Sequence, residues 1–130
     1  MKYGSTVLFV NDVRGVLEFY RKAFGFKTKF YDKEFDFGLL DAAGAEIGIA
    51  SHRSGDLMMP GAYKKPGRGH PDGVEIAFYT SDVRGAFDRA VAAGAVSLAE
   101  PRRMSWNQTV AYVRSVEGTI IGFCTPVEAS

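Results

Sequence analysis

Two short apolar runs, Ser5-Thr6-Val7-Leu8-Phe9-Val10 and Glu75-Ile76-Ala77-Phe78-Tyr79-Thr80, each lead into the same tetrapeptide, Asp12-Val13-Arg14-Gly15 and Asp82-Val83-Arg84-Gly85. Both runs read as β-strands, the first over residues 3–10. A strand alternates its side chains between faces, which puts Ser5, Val7 and Phe9 on one side and Thr6, Leu8 and Val10 on the other. After each tetrapeptide the apolar spacing changes to a helical period. Val13, Val16, Leu17, Tyr20 and Phe24 form one stripe, with Arg14, Glu18, Arg21 and Lys22 facing water. Val83, Ala86, Phe87, Ala90 and Val91 form the other. Asp12 and Asp82 stand where an N-cap carboxylate is wanted, and Gly25 and Gly94 where a helix stops.

Further strand patterns cover residues 27–31, 35–41 and 46–51 after the first helix, and 96–99, 109–114 and 119–124 after the second. The chain is thus a βαβββ module used twice. Module one spans about residues 1–52 and module two about 73–127, within a single domain. Residues 53–72, rich in Gly, Pro and Lys, form an irregular connection that is either a linker or a mobile cover; Met58, Met59 and Tyr63 favour the cover. Aligning the tetrapeptides pairs Ser5 with Glu75, Val7 with Ala77 and Phe9 with Tyr79. Aligning the turn glycines Gly44 and Gly118 pairs Ile47 with Ile121, Gly48 with Gly122 and Ile49 with Phe123. The expected fold is α+β: two βαβββ modules in tandem, forming a curved, partly open mixed sheet with a concave pocket that takes a ligand.

Composition removes several alternatives. At 130 residues, 46% hydrophobic and net charge +1, the chain offers no broad electrostatic attraction for nucleic acid or an anionic membrane. Its one cysteine, Cys124, rules out an internal disulfide. No apolar run approaches the ~20 residues that span a bilayer. No hydrophobic leader follows Met1, so a cytoplasmic protein is expected.

The chain resembles the vicinal-oxygen-chelate superfamily, which includes glyoxalase I, bleomycin- and mitomycin-binding proteins and extradiol dioxygenases. The matching stretches are residues 12–25 with Glu18-Phe19-Tyr20-Arg21-Lys22 inside, residues 74–94, and residues 106–114 leading to Glu117-Gly118. The resemblance implies a paired βαβββ fold, a homodimer and a pocket within the curved sheet. Metal-dependent members place a His or Glu ligand on each of four strands, and the repeat assigns those places to Ser5, Gly48, Glu75 and Gly122. Only Glu75 suits a divalent transition metal. No metal and no other cofactor is therefore expected. His52 and His70 read as solvated loop histidines. Cys124 is either a reactive thiol or an inert buried one, the second being favoured because no base partners it.

The candidate ligand-binding residues are Ser5, Val7, Phe9, Gly48, Glu75, Tyr79, Trp106, Tyr112, Gly122 and Cys124. Trp106 either stacks on a planar ring or caps one end of the core. Gly48 and Gly122 either clear space for a flat ligand or relieve a bend. Phe37 reads as core packing. Glu75, expected to be buried among apolar neighbours, needs a raised pKa or a partner, either Arg114 or Arg103 or, the favoured choice, a ligand amine. The favoured function is metal-independent binding of a small planar or aromatic compound, a sequestration like that of the bleomycin- and mitomycin-binding proteins and a route to antibiotic resistance. The alternative is a glyoxalase-type lyase or isomerase with Glu75 as metal ligand or general base. A third reading is an interaction module with a vestigial pocket.

Overall fold

A computed structural model describes residues 1–67 and 69–126. The chain divides into two compact units, Met1–Lys65 and Pro66–Ser130. Unit 1 contains β1 (Thr6–Val10), α1 (Val13–Phe24), β2 (Lys27–Asp32), β3 (Phe37–Asp41), β4 (Glu46–Ser51) and α2 (His52–Met58). Unit 2 contains β5 (Glu75–Tyr79), α3 (Val83–Ala92), β6 (Val96–Arg103), β7 (Thr109–Arg114) and β8 (Ile120–Cys124). Each unit is a four-stranded, open mixed sheet, ordered β1-β4-β3-β2 and β5-β8-β7-β6. The first strand pairs in parallel with the last, and the other neighbours are antiparallel. The tandem α+β repeat expected from the residues is present.

The repeated tetrapeptide works as a helix start. The Asp12 carboxylate accepts from the Gly15 N–H at 3.0 Å, and Asp82 from the Gly85 N–H at 2.9 Å. A Cβ at either glycine would run into that carboxylate, so the tightness of the cap accounts for the glycine in both copies. Val13 and Val83 are buried beneath, and the two arginines face outward. Gly25 ends α1 at φ 74°, the left-handed position that glycine adopts without strain.

One face of each sheet packs on its helix. In unit 1, Val10, Leu40, Ile47 and Ile49 are buried there, and Gly38 lets Leu17 approach so closely that a Cβ would lie 2.7 Å from it. In unit 2, Ala111, Val113, Ile121 and Phe123 occupy the same layer beside Val83, Ala86, Phe87 and Ala90. Burying these apolar faces is the main drive for each unit. Phe19, outside the expected stripe, is buried through edge contacts with Tyr20 and Phe24, whereas Val91 is 40% exposed.

Several expectations need correction. The first strand starts at Thr6 opposite Ile47, which leaves Ser5 one residue outside the ladder. The strand expected over 35–41 begins at Phe37, because an Asp32 turn and the positive φ of Asp36 occupy the preceding residues. Residues 53–72 are not wholly irregular: Ser51 caps α2 by accepting from the Ser54 N–H. The strand expected over 96–99 continues to Arg103, since an edge strand with bulges tolerates Pro101. A short tail over 126–130 is expected from the sequence after the last strand, and of it 127–130 lie outside the described residues.

Candidate functional site

The sheet face turned away from each helix carries the candidate positions, and the two units treat it differently. In unit 1 this face presents Val7, Phe9, Phe37, Leu39, Gly48 and Ala50, as the register requires. A Cβ at Gly48 would lie 3.0 Å from both Phe37 Cε2 and Val7 Cγ2, so these two side chains already fill the space that glycine leaves. Phe37 packs on Phe30 with centroids 5.8 Å apart. Further along, Tyr63 packs on Phe9 at 5.2 Å and lies over Gly55 of α2. Ser5 is exposed at the edge of this arrangement.

His52 anchors the Tyr63 cover. It is 7% exposed, and its Nδ1 is 2.8 Å from the Tyr63 hydroxyl. The expectation of a solvated loop histidine is therefore wrong for His52: the Ser51 cap turns the chain into α2 and takes the imidazole inside. His70 is exposed, as expected. Burial pushes the His52 pKa below its ordinary 6.5, Lys65 adds to that depression, and Asp56 opposes it. Lys65 and Asp56 also pair with each other at 2.7 Å, a second tie between α2 and the stretch after it.

In unit 2 the corresponding face is open. A cleft of about 430 Å³ is walled by Gly73, Glu75, Leu98, Ala99, Tyr112 and Ile120. Three aligned strands build it: Glu75 stands opposite Ile120, and Tyr112 is opposite Gly122 on one side and Ala99 on the other. The Glu75 carboxylate reaches over Gly122 into the space a Cβ would take, and Tyr112 Cε1 lies 3.2 Å from that same point. Glycine at 122 is what lets the acid lie down against the sheet.

Glu75 is exposed, which corrects the expectation that it is buried: it heads the edge strand on the side α3 does not cover. Neither arginine named for it is available as partner. Arg114 donates to the carbonyls of Gly118, Gly69 and Gly67, and Arg103 to the Asn107 side chain. The Tyr112 pKa is raised, first by burial and then by the Glu75 and Cys124 charges. The Cys124 pKa is raised by burial and by Glu75, which keeps the thiol protonated and a poor nucleophile. Its Sγ lies 3.8 Å from the Phe78 carbonyl oxygen.

Trp106 and Tyr79 do not wall this cleft. Trp106 is 53% exposed on the β6–β7 turn, its Nε1 donating to Gln108 Oε1 at 2.8 Å, and Gln108 in turn donates to the Thr125 carbonyl. Tyr79 is 71% exposed on β5. The sequence reading missed Gly73, Leu98, Ala99 and Ile120, of which Ile120 was accessible through its strand parity with Gly122. Leu98 and Ala99 lie between two register shifts of β6, where alternation gives no guide.

Of the four places the repeat marks for metal ligands, Glu75 alone has a suitable donor. Among the described residues no three His, Cys, Asp or Glu side chains gather closely enough to share an ion. One carboxylate does not match the three or four protein donors that a tightly held transition metal takes. Among the described residues no helix is long and apolar enough to cross a membrane.

Comparison with known proteins accords with this architecture. No curated protein sequence matches the chain significantly. Among solved structures, it is similar to a glyoxalase/bleomycin resistance protein/dioxygenase family enzyme from Burkholderia phytofirmans PsJN (TM-score 0.76, 21% identity, covering 96% of this chain and 98% of that one). It is also similar to a glyoxalase-related enzyme from Fulvimarina pelagi (TM-score 0.77, 17% identity, 96% and 88% covered). A third is TioX from Micromonospora sp. ML1 (TM-score 0.67, 19% identity, 95% and 98% covered). At these identities the likeness concerns the fold. The family model described as Glyoxalase/Bleomycin resistance protein/Dioxygenase superfamily matches residues 2–123, nearly the whole chain, and the chain belongs to that superfamily.

Proposed function

We propose that this protein binds a small planar or aromatic compound in the unit 2 cleft without a metal ion, and sequesters it in the manner of bleomycin- and mitomycin-binding proteins. The observation that carries the reading is the cleft itself: one aromatic ring and three aliphatic side chains around a single acid, over a glycine backbone. Its volume of about 430 Å³ falls within the usual span of small-molecule sites. The donor set supports the metal-free part, as Ser5, Gly48 and Gly122 supply no ligand of the required kind. Of the other candidates, Gly122 lies under the Glu75 carboxylate and Cys124 adds a neutral thiol to the same sheet face.

Calorimetric titration of metal-stripped protein with a panel of planar aromatic antibiotics tests this. Binding that is lost in Tyr112→Leu is the expected result; heats that return only when a divalent metal is restored would overturn it. A cell expressing the protein should tolerate the compound that binds. The exposed Glu75 carboxylate also favours a second reading, a glyoxalase-type lyase or isomerase with this acid as general base. That chemistry needs an electrophile for the developing enolate, and among the described residues no cationic side chain walls the cleft. Stoichiometric zinc, nickel or iron in purified protein would favour the enzyme. A homodimer in cytoplasm completes the proposal, and sedimentation velocity checks the dimer.

A further inference from the structure

We infer that the unit 2 cleft selects an organic cation, whose positive group sits against the Tyr112 ring with Glu75 as its counter-ion. This rests on the reading of the cleft as a small-molecule site and narrows it by charge. Of the six walls, Gly73, Glu75, Leu98, Ala99, Tyr112 and Ile120, only Glu75 is charged. Among the described residues Glu75 takes part in no ion pair. Arg114 shares its sheet face, but commits its guanidinium to the Gly67, Gly69 and Gly118 carbonyls.

Arg114 keeps its positive charge, but its guanidinium is held at those carbonyls and, among the described residues, forms no ion pair with Glu75. Tyr112 and Cys124 are both held protonated, by burial and by the Glu75 charge itself. Glu75 is therefore the one charge on the described walls, which are otherwise apolar, and a ligand lying against them meets its field. A tyrosine ring face attracts the same sign of charge through its quadrupole. A neutral occupant would strip water from the carboxylate without replacing it, and an anion would be repelled. Because Glu75 lies down over Gly122, its charge lies against the sheet.

Titration of the full chain with proflavine, planar and cationic at neutral pH, and with acridine, of the same ring system and neutral, tests the inference. Proflavine should bind about tenfold more tightly, the worth of one charge-assisted contact. Glu75→Gln should abolish that preference, and added salt should weaken proflavine alone. Equal binding of both dyes, or a preference that survives Glu75→Gln, overturns the charge selection and leaves the aromatic site standing. Binding of neither dye overturns both. Glu75 is exposed, so loss of folding is not expected to mask the result; a thermal melt of the variant checks this.

Discussion

At Gly48 the Phe37 ring and a Val7 methyl close over the backbone; at Gly122 the cover is the Glu75 carboxylate, which can move away, beside the edge of the Tyr112 ring. These glycines are equivalent in the repeat, and both strands stand in the same place in their sheets. Unit 1 goes on from β4 into α2 and returns Tyr63 over Phe9, whereas Tyr79, the equivalent of Phe9 in unit 2, is 71% exposed. The same sheet face thus carries aromatic cover over part of its length in one copy, with Val7 still 39% exposed, and an acid in the other. A duplicated backbone supplies the frame, and a few side chains decide what each face presents.

The largest test of that contrast is the cover against the acid. Tyr63→Ala removes a ring from Phe9 and the partner of a buried imidazole, and should destabilise by about 3 kcal/mol in urea melts. Glu75→Ala, on an exposed acid, should stay within about 0.5 kcal/mol. Similar losses for both would break the comparison. Next come the glycines. Gly48→Ala pushes a methyl against Phe37 and Val7 and should destabilise by about 1–2 kcal/mol, while Gly122→Ala displaces Glu75 at little cost in stability and weakens cation binding.

The caps should show no contrast at all. Asp12→Ala and Asp82→Ala each remove the same hydrogen bond and should each destabilise by about 1 kcal/mol, with the double variant additive. An unequal pair would mean that the helices are not equivalent supports. The smallest effect is in pH. The folded His52 pKa lies below its unfolded value of 6.5, so its neutral form contributes stability that is complete above that pH and lost as pH falls toward the folded value. Melts from neutral to mildly acidic pH should show stability declining, and His52→Gln should flatten that slope.

Much of the frame was legible in the residues because the signals are local. Asp-Val-Arg-Gly states a cap, a buried contact and a close approach within one turn, and strands 46–51 and 109–114 end where the pattern says. The helix α2 was not legible, since seven residues with Gly55 inside offer no clear period, and only Ser51 before Ser54 hinted at it. The burial of His52 and the exposure of Glu75 depend on what lies above each sheet face, which strand parity leaves open. The same limit separates Tyr112, whose parity with Gly122 brings it to the cleft, from Trp106, whose turn takes it elsewhere.

The position of Trp106 has a practical side. It is the chain's one tryptophan, and it belongs to unit 2, whereas Tyr3, Tyr20, Tyr31 and Tyr63, four of the six tyrosines, belong to unit 1. Indole emission is therefore an optical label on the second half of the molecule. A melt followed at tryptophan wavelengths reports on that half, and its comparison with far-ultraviolet dichroism tests whether the two halves unfold together.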